Sequence, residues 1–341
     1  MKAVGYIEQL PSEQGGLLID MQLPTPEPGG RDLLVRVAAV SVNPRDVKSR
    51  MAFSATPEQP KILGYDASGV VEAVGPKVSL FKPGDEVFYA GALERPGSNA
   101  EYQLVDERIV GRKPRQLEHA AAASVPLVTL TAFEMLFERL GLPFSCDPAQ
   151  PPVVLILGGA GGVPSAAIQL ARHAGARVIA SVSREQSRQW VSELGAQHTV
   201  DHHKPLVEQI KDLGVGEVDF AFSTHTTAEV WAALAEVMSP QGRLGIIDDP
   251  EPLDLRLFKA KSISIHWESM FTRSMFQTPD MQRQHDILNQ IAKLLDAGIM
   301  RPMGTAHYGS INAANVYRAH QTIAFGGRYS IQLSYGCVSA A

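Results

Sequence analysis

The stretch VVLILGGAGGVPSAAIQLAR, Val153 to Arg172, constrains the fold more than any other part of this chain. A continuous apolar run reads as a strand buried on both faces, the glycines after it as a tight turn, and the alanine-rich segment beyond as a helix. The pattern then continues with RVIAS, a helix from about Glu185, HTVD, a helix over PLVEQIKDL, VDFAF, a helix over AEVWAALAEVM, RLGII and SISIHW. Apolar strands alternating with helices predict a parallel sheet covered on both faces. This is a doubly wound α/β layer, with its ligand crevice at the carboxyl ends of the strands.

The glycine turn is a variant dinucleotide fingerprint. Gly159, Ala160, Gly161, Gly162 and Val163 follow G-x-G-x-x-G up to its last place, where Pro164 replaces the glycine. The first glycine allows the turn, the second lets the backbone approach a diphosphate, and the helix N-terminus favours the phosphate charge. Proline is tolerated in the first helical turn because its missing N–H would have had no intrahelical acceptor. The cradle is expected to survive with one donor fewer; the alternative is a glycine turn with no ligand.

About twenty residues further on, an acidic residue holds the ribose 2′-hydroxyl of NAD in such folds. Here the chain reads Ser181-Val182-Ser183-Arg184, with no carboxylate before Glu185. Hydroxyls and a guanidinium suit a 2′-phosphate, which points to NADP(H). Ser183 as a helix N-cap, with Gln186 in capping-box spacing, is the structural alternative. Ser223, Thr224 and Ile247 end the fourth and fifth strands and belong to the crevice by position.

Before about Val110 the texture differs. KAVGYI, LLVRVAAVSV, SGVVEAVG, DEVFYA and AEYQLV are short runs broken by turn residues such as Pro83-Gly84-Asp85, and they predict a β-rich meander or barrel. From Glu118 the chain turns alanine-rich, reading as a helix, a break at Pro126 and a second helix; another helix is expected over about Met281 to Ala297. A chain of 341 residues exceeds what one core organises. The expected division is a β domain of residues 1–125, rejoined by 299–341, and an α/β domain of residues 126–298.

A net charge of −5 without a basic patch argues against nucleic acid or an anionic membrane as partner. No run is long and apolar enough to span a bilayer and the first residues lack a secretory signal, so a cytoplasmic enzyme is expected. Two cysteines, Cys146 and Cys337, are too few for a disulfide framework or a four-cysteine zinc site.

Seven segments together are similar to the medium-chain dehydrogenase/reductase superfamily over nearly the whole chain: SVNPRDVKSR, ILGYDASGVVEAVG, LFKPGDEVFYAG, RPGSNAEYQLVDERIVGRKP, GGAGGVPSAAIQLAR, LGAQHTVDH and HWESMFTRSMFQT. The likeness is to its zinc-free quinone oxidoreductase branch and the zinc-type alcohol dehydrogenase-like proteins. It implies a GroES-like β-barrel catalytic domain, a Rossmann NADP(H)-binding domain, an active site in the cleft between them, and a homodimer through a sheet edge, for which SISIHW is the candidate.

In the zinc-dependent members the ligand positions match Asn43, Tyr65-Asp66 and approximately Leu127. A catalytic zinc needs about three nitrogen, sulfur or oxygen ligands, and Asp66 alone qualifies. The resemblance therefore implies hydride transfer to quinones or conjugated carbonyls, which need no Lewis acid. Asn43 is implied beside the nicotinamide, or is a turn asparagine before Pro44. Lys48 stands where better-known quinone reductases carry a tyrosine, or is a surface lysine. Tyr65 is implied to turn its phenol toward the reacting carbonyl, or to fill the vacant metal place with its ring. His202 falls near the adenosine end, or is an exposed loop residue. The segment Trp267 to Thr278 is a candidate acceptor-pocket wall, with core or dimer interface as the alternative. Two other readings remain open: a zinc-type alcohol dehydrogenase, and an NADPH-binding protein without turnover.

Overall fold

A computed structural model describes residues 1–8, 17–324 and 330–334; Cys337 lies outside them. The chain divides into two compact units, Met1–Leu130 with Phe271–Ala341, and Thr131–Met270.

The first unit begins with β1 (Lys2–Tyr6), β2 (Ile19–Gln22), β3 (Asp32–Val42), α1 (Pro44–Ala52), β4 (Lys61–Ile62), β5 (Asp66–Val74), β6 (Glu86–Tyr89), β7 (Tyr102–Asp106) and β8 (Val110–Arg112). β2, β1 and β4 form a small antiparallel sheet, and a larger one runs β3-β5-β6-β8 with β7 also on β3. Its core includes Leu33, Val35, Val37, Val40, Val71, Val87 and Tyr89. The turn at Pro83-Gly84-Asp85 forms as its residues predict, Gly84 taking φ +92°. α1 was not expected. Its buried residues are Asp46, Ser49 and Arg50, so no apolar periodicity announces it, and it starts instead on a capping pair and a proline at the first helical position.

α2 (His119–Ala123) and α3 (Pro126–Phe133) reproduce the helix, break and helix around Pro126. α3 continues into an unexpected π-helical turn, Glu134–Arg139, whose end is marked by the Leu140 N–H donating to the Met135 carbonyl at 2.9 Å.

The second unit carries β9 (Val153–Ile156), α4 (Gly162–His173), β10 (Arg177–Ser181), α5 (Glu185–Glu193), β11 (His198–Val200), α6 (Leu206–Asp212), β12 (Val218–Ser223), α7 (Ala228–Val237), β13 (Met238–Ile246) and β14 (Ser264–Trp267). All six predicted strands form one parallel sheet in the order β11-β10-β9-β12-β13-β14. That is the doubly wound order 3-2-1-4-5-6. Leu155, Ile179, Val218, Leu234 and Leu244 are part of its core. β14, the SISIHW strand, is an edge.

The chain then returns to the first unit through α8 (Thr272–Met275), α9 (Arg283–Asp296), β15 (Gly304–His307), α10 (Ala313–Ala324) and β16 (Ser330–Ser334), which pairs antiparallel with β3. The expected boundary at 298 needs correction. α9 packs on β8: His285 Nδ1 meets the Val110 carbonyl at 2.6 Å and Asn289 Oδ1 accepts the Arg112 N–H at 3.0 Å. The stripe Ile287, Leu288, Ile291 and Leu295 identifies a buried helix face, but periodicity does not say which sheet covers it. No helix among the described residues is long and apolar enough to cross a membrane.

Candidate functional site

In the second unit the strand order reverses between β9 and β12, and the glycine turn follows β9 at that switch point. Gly158, which the motif reading passed over, adopts φ +79°. Its N–H donates to Ser181 Oγ at 2.9 Å, and a side chain there would strike Thr224 Oγ1. The Gly159 N–H donates to the Ser181 carbonyl at 2.9 Å, and a Cβ on Gly159 would lie 3.1 Å from both Ala180 Cβ and that carbonyl oxygen. The two glycines divide the work: one supplies the left-handed turn, the other the close approach to β10.

Gly161 is the N-cap of α4, and its carbonyl accepts the first intrahelical bond, from the Ser165 N–H at 2.9 Å. The N–H groups of Gly162 and Val163 therefore precede the helix's own ladder. Pro164, buried at the third helical position, has none to offer. Ala160 to Val163 are only half-buried. Two main-chain donors at the positive end of a twelve-residue helix fit a diphosphate.

The predicted residues around the turn separate into two groups. Ser181, Ser223 and Thr224 buttress it. Ser181 is buried with its hydroxyl on Gly158, Ser223 Oγ is 2.8 Å from Thr226 Oγ1, and Thr224 Oγ1 donates to the Leu157 carbonyl at 3.0 Å. The Thr226 hydroxyl continues to Asp248 Oδ1 at 2.8 Å, and the Ile247 N–H reaches the Ser223 carbonyl at 3.4 Å. Ser183, half-buried, and Arg184, exposed, stand open beyond β10. The alternative of Ser183 as N-cap does not hold: α5 starts one residue later, with Arg184 as N-cap and its carbonyl accepting the Arg188 N–H at 3.0 Å. No carboxylate stands between Ser181 and Arg184, and Asp201 beyond β11 is engaged by the His203 N–H at 3.0 Å. These residues fit a 2′-phosphate. His202 is exposed, its ring 4.5 Å from that of His203.

The first unit gathers a second polar cluster at the start of α1. Asn43, 2% exposed, donates its main-chain N–H to Asp46 Oδ2 at 2.7 Å and its side-chain amide to Asp66 Oδ2 at 2.8 Å. Asp66 Oδ1 accepts the Leu127 N–H at 2.7 Å. Burial pushes the Asp46 carboxyl up to about 7, against hydrogen bonds that pull it down. Burial also holds Asp66 well above the ordinary carboxylate range, despite the donors on both its oxygens.

Tyr65, read either as a phenol facing the reacting carbonyl or as a ring filling the vacant metal place, is buried, with its hydroxyl 2.6 Å from Ser49 Oγ and its ring 5.1 Å from that of Phe271. Burial pushes the phenol up to about 12, so it keeps its proton. Lys48 is exposed on α1. Asp46 and Ser49 were absent from the sequence reading. The N-P-x-D run of Asn43 to Asp46 was the available signal, since an acid three residues after an N-cap is a capping-box pattern.

This cluster does not fit a catalytic zinc. Asn43, Tyr65 and Leu127 bring an amide, a protonated phenol and an alkyl chain, and both oxygens of Asp66 are bonded to their neighbours. Among the described residues no three His, Cys, Asp or Glu side chains come together as a metal cluster requires.

Residues 29–115 match the alcohol dehydrogenase GroES-like domain family and residues 162–294 the zinc-binding dehydrogenase family. The chain is 38% identical, over 95% of its length and 96% of the relative's, to a zinc-type alcohol dehydrogenase-like protein of Staphylococcus aureus. It is 36% identical, over 68% of its length and 63% of the relative's, to the chloroplastic NADPH-dependent alkenal/one oxidoreductase of Arabidopsis thaliana. The crystal structure of a Rhizobium etli protein, provisionally described as a zinc-dependent alcohol dehydrogenase, superimposes with a TM-score of 0.93 at 48% identity, covering 99% of each chain. With both domain families matched in succession and identity sustained over almost its full length, the chain belongs to the medium-chain dehydrogenase/reductase superfamily of oxidoreductases.

Proposed function

We propose that this protein is an NADPH-dependent reductase of quinones or conjugated carbonyls, working without zinc as a cytoplasmic homodimer. The observation that carries the reading is the self-satisfied cluster of Asn43, Asp66 and Leu127 at the positions where metal-dependent relatives hold zinc. Without a Lewis acid to activate an alcohol or a plain ketone, the substrate must be one whose conjugation already accepts hydride. The open Ser183 and Arg184, with no acid before Glu185, support NADPH over NADH. The name of the Arabidopsis relative agrees with both halves.

NADPH when bound supplies a hydride. The main-chain N–H groups of Gly162 and Val163 hold its diphosphate, and Ser183 and Arg184 its 2′-phosphate. Asn43, fixed by the side chains of Asp46 and Asp66, orients the reacting groups, and the exposed ammonium of Lys48 stabilises the developing oxyanion. Tyr65 fills the metal place with its ring and a phenol that stays protonated. The edge strand β14, with Trp267 58% exposed, is where a second copy pairs.

The test is NADPH consumption with benzoquinone and with an enone, before and after exhaustive chelation. Undiminished turnover supports the reading. Activity lost on chelation and restored by zinc would identify a zinc-type alcohol dehydrogenase instead. Tight NADPH binding with no acceptor consumed across a broad panel would identify a non-catalytic binding protein.

A further inference from the structure

We propose that His202, His203 and His225 form a proton-operated clamp on the 2′-phosphate of the coenzyme, so that the preference for NADPH over NADH strengthens as the solution is acidified from pH 8.0 to 6.5. The inference rests on the coenzyme half of the proposed function for what binds, and on the following geometry for where and why.

The three imidazoles stand beyond the carboxyl ends of β11 and β12, on either side of the β10-β9 pair that carries the coenzyme residues. The Val182 N–H donates to the Val200 carbonyl at 2.8 Å, which sets Ser183 and Arg184 alongside Asp201 and His202. The rings of His202 and His203 are 4.5 Å apart, inclined at 63°. His225 arrives from the other side. Its neighbour Thr224 donates to the Leu157 carbonyl at 3.0 Å and blocks any side chain on Gly158, so His225 follows directly on a residue that touches the glycine turn. All three histidines are exposed.

The permanent charges around them largely offset one another. Arg188 lies 3.6 Å from Glu185 and is also engaged by the Thr199 hydroxyl. Asp201 is held below the usual carboxylate range, first by the His203 N–H and then by the charges of Lys204, His203 and His202. Asp248, at the end of β13, accepts the Thr226 hydroxyl at 2.8 Å. Among the described residues of this end of the crevice, Arg184 is left as the uncompensated fixed cation. Any further positive charge must come from the imidazoles, whose ionisation falls near neutrality.

Without a ligand the cluster resists that charge. Partial burial holds His202 below the ordinary imidazole range, and the like charges of His203 and His225 push it the same way, against the pull of Asp201. A phosphate monoester carries about −1.5 to −2 charge at pH 7. Placed among the rings it supplies the counter-charge they lack, and mutual repulsion gives way to attraction to a shared anion. Binding therefore takes up protons, and by reciprocity protons tighten binding. NADH carries a hydroxyl in that place and brings no such counter-charge.

The experiment is isothermal titration calorimetry of the full chain with 2′,5′-ADP and with 5′-AMP, between pH 8.0 and 6.5 at constant ionic strength. The first probe carries the 2′-phosphate and no nicotinamide, so the readout is independent of turnover; the second lacks that phosphate. Affinity for 2′,5′-ADP should rise by about threefold or more on acidification, with net proton uptake read from heats in buffers of different ionisation enthalpy, while 5′-AMP changes by less than about twofold. The exposed pair His202→Gln with His225→Gln should keep the affinity of the wild type at pH 8.0 within about twofold and lose the rise. Tight 2′,5′-ADP binding that is flat with pH, net proton release, an equal rise with 5′-AMP, or an unchanged rise in the double variant would each overturn the clamp and leave the NADPH reading standing. No preference for 2′,5′-ADP over 5′-AMP at any pH would overturn both. A variant-sensitive rise in a protein that consumes no acceptor would uphold the clamp and reject the reductase reading.

Discussion

The side-chain amide of Asn43 and the carboxylate of Asp66 meet at 2.8 Å with both residues buried, and the same carboxylate takes the Leu127 N–H at 2.7 Å. One side chain thus ties the cap of α1 to the first turn of α3. Asp66→Ala strands two buried donors, each worth about 1–3 kcal/mol when left unpaired. The midpoint of urea unfolding should drop accordingly. Asp66→Asn keeps an oxygen for Leu127 and should lose less than the alanine variant. Coincident urea curves for wild type and alanine variant would show that the tie carries no stability.

Asp46 makes stability depend on pH in an uncommon direction. Burial raises its folded value to about 7, so between about 4 and 7 the folded state binds more proton than the unfolded chain does. Stability is therefore lost as pH rises through that window, by at most about 1.4 kcal/mol per unit for this group. Asp46→Asn keeps an acceptor for the Asn43 N–H and removes the titration. Urea unfolding at pH 5, 6, 7 and 8 should show the wild type losing ground to the variant as pH rises; parallel pH profiles would refute the assignment.

Gly159→Ala places a methyl 3.1 Å from Ala180 Cβ and the Ser181 carbonyl, on a strand held by β9 and β11 on either side. The turn must shift rather than the strand. NADPH affinity should fall about tenfold, or about 1.4 kcal/mol, with a much smaller change in Tm. Fluorescence titration checks it.

Pro164→Ala returns a third N–H to the start of α4. If that donor reaches the diphosphate, NADPH should bind roughly two- to tenfold tighter, the gain of one net hydrogen bond of about 0.5–1.5 kcal/mol. Unchanged affinity would mean the third donor points elsewhere.

Arg184→Ala should raise KM for NADPH at least tenfold while leaving that for NADH within about twofold, since a guanidinium pairs with the 2′-phosphate that NADH lacks. Equal losses with both coenzymes would place the 2′-phosphate elsewhere.

The turn and the cluster differ in how readable they were. Ala160 to Val163 are legible because the fingerprint is local: strand, glycines and helix succeed one another within one stretch of chain. The buttressing of Gly158 by Ser181 and Thr224 was not, because those hydroxyls arrive from β10 and from the end of β12. α1 escaped notice because the residues it buries are polar, and a period-3.6 search counts apolar ones.

The sequence by itself determined the two architectures, the six strands of the parallel sheet and the helix that opens at the glycines. Each of these follows from the order of residue types along a short segment. Only the tertiary structure decided that α9 covers β8, that Asp66 holds Asn43, and that His225 stands near His202. Those contacts join residues far apart in the chain, and burial assigns partners to side chains whose local pattern fits several.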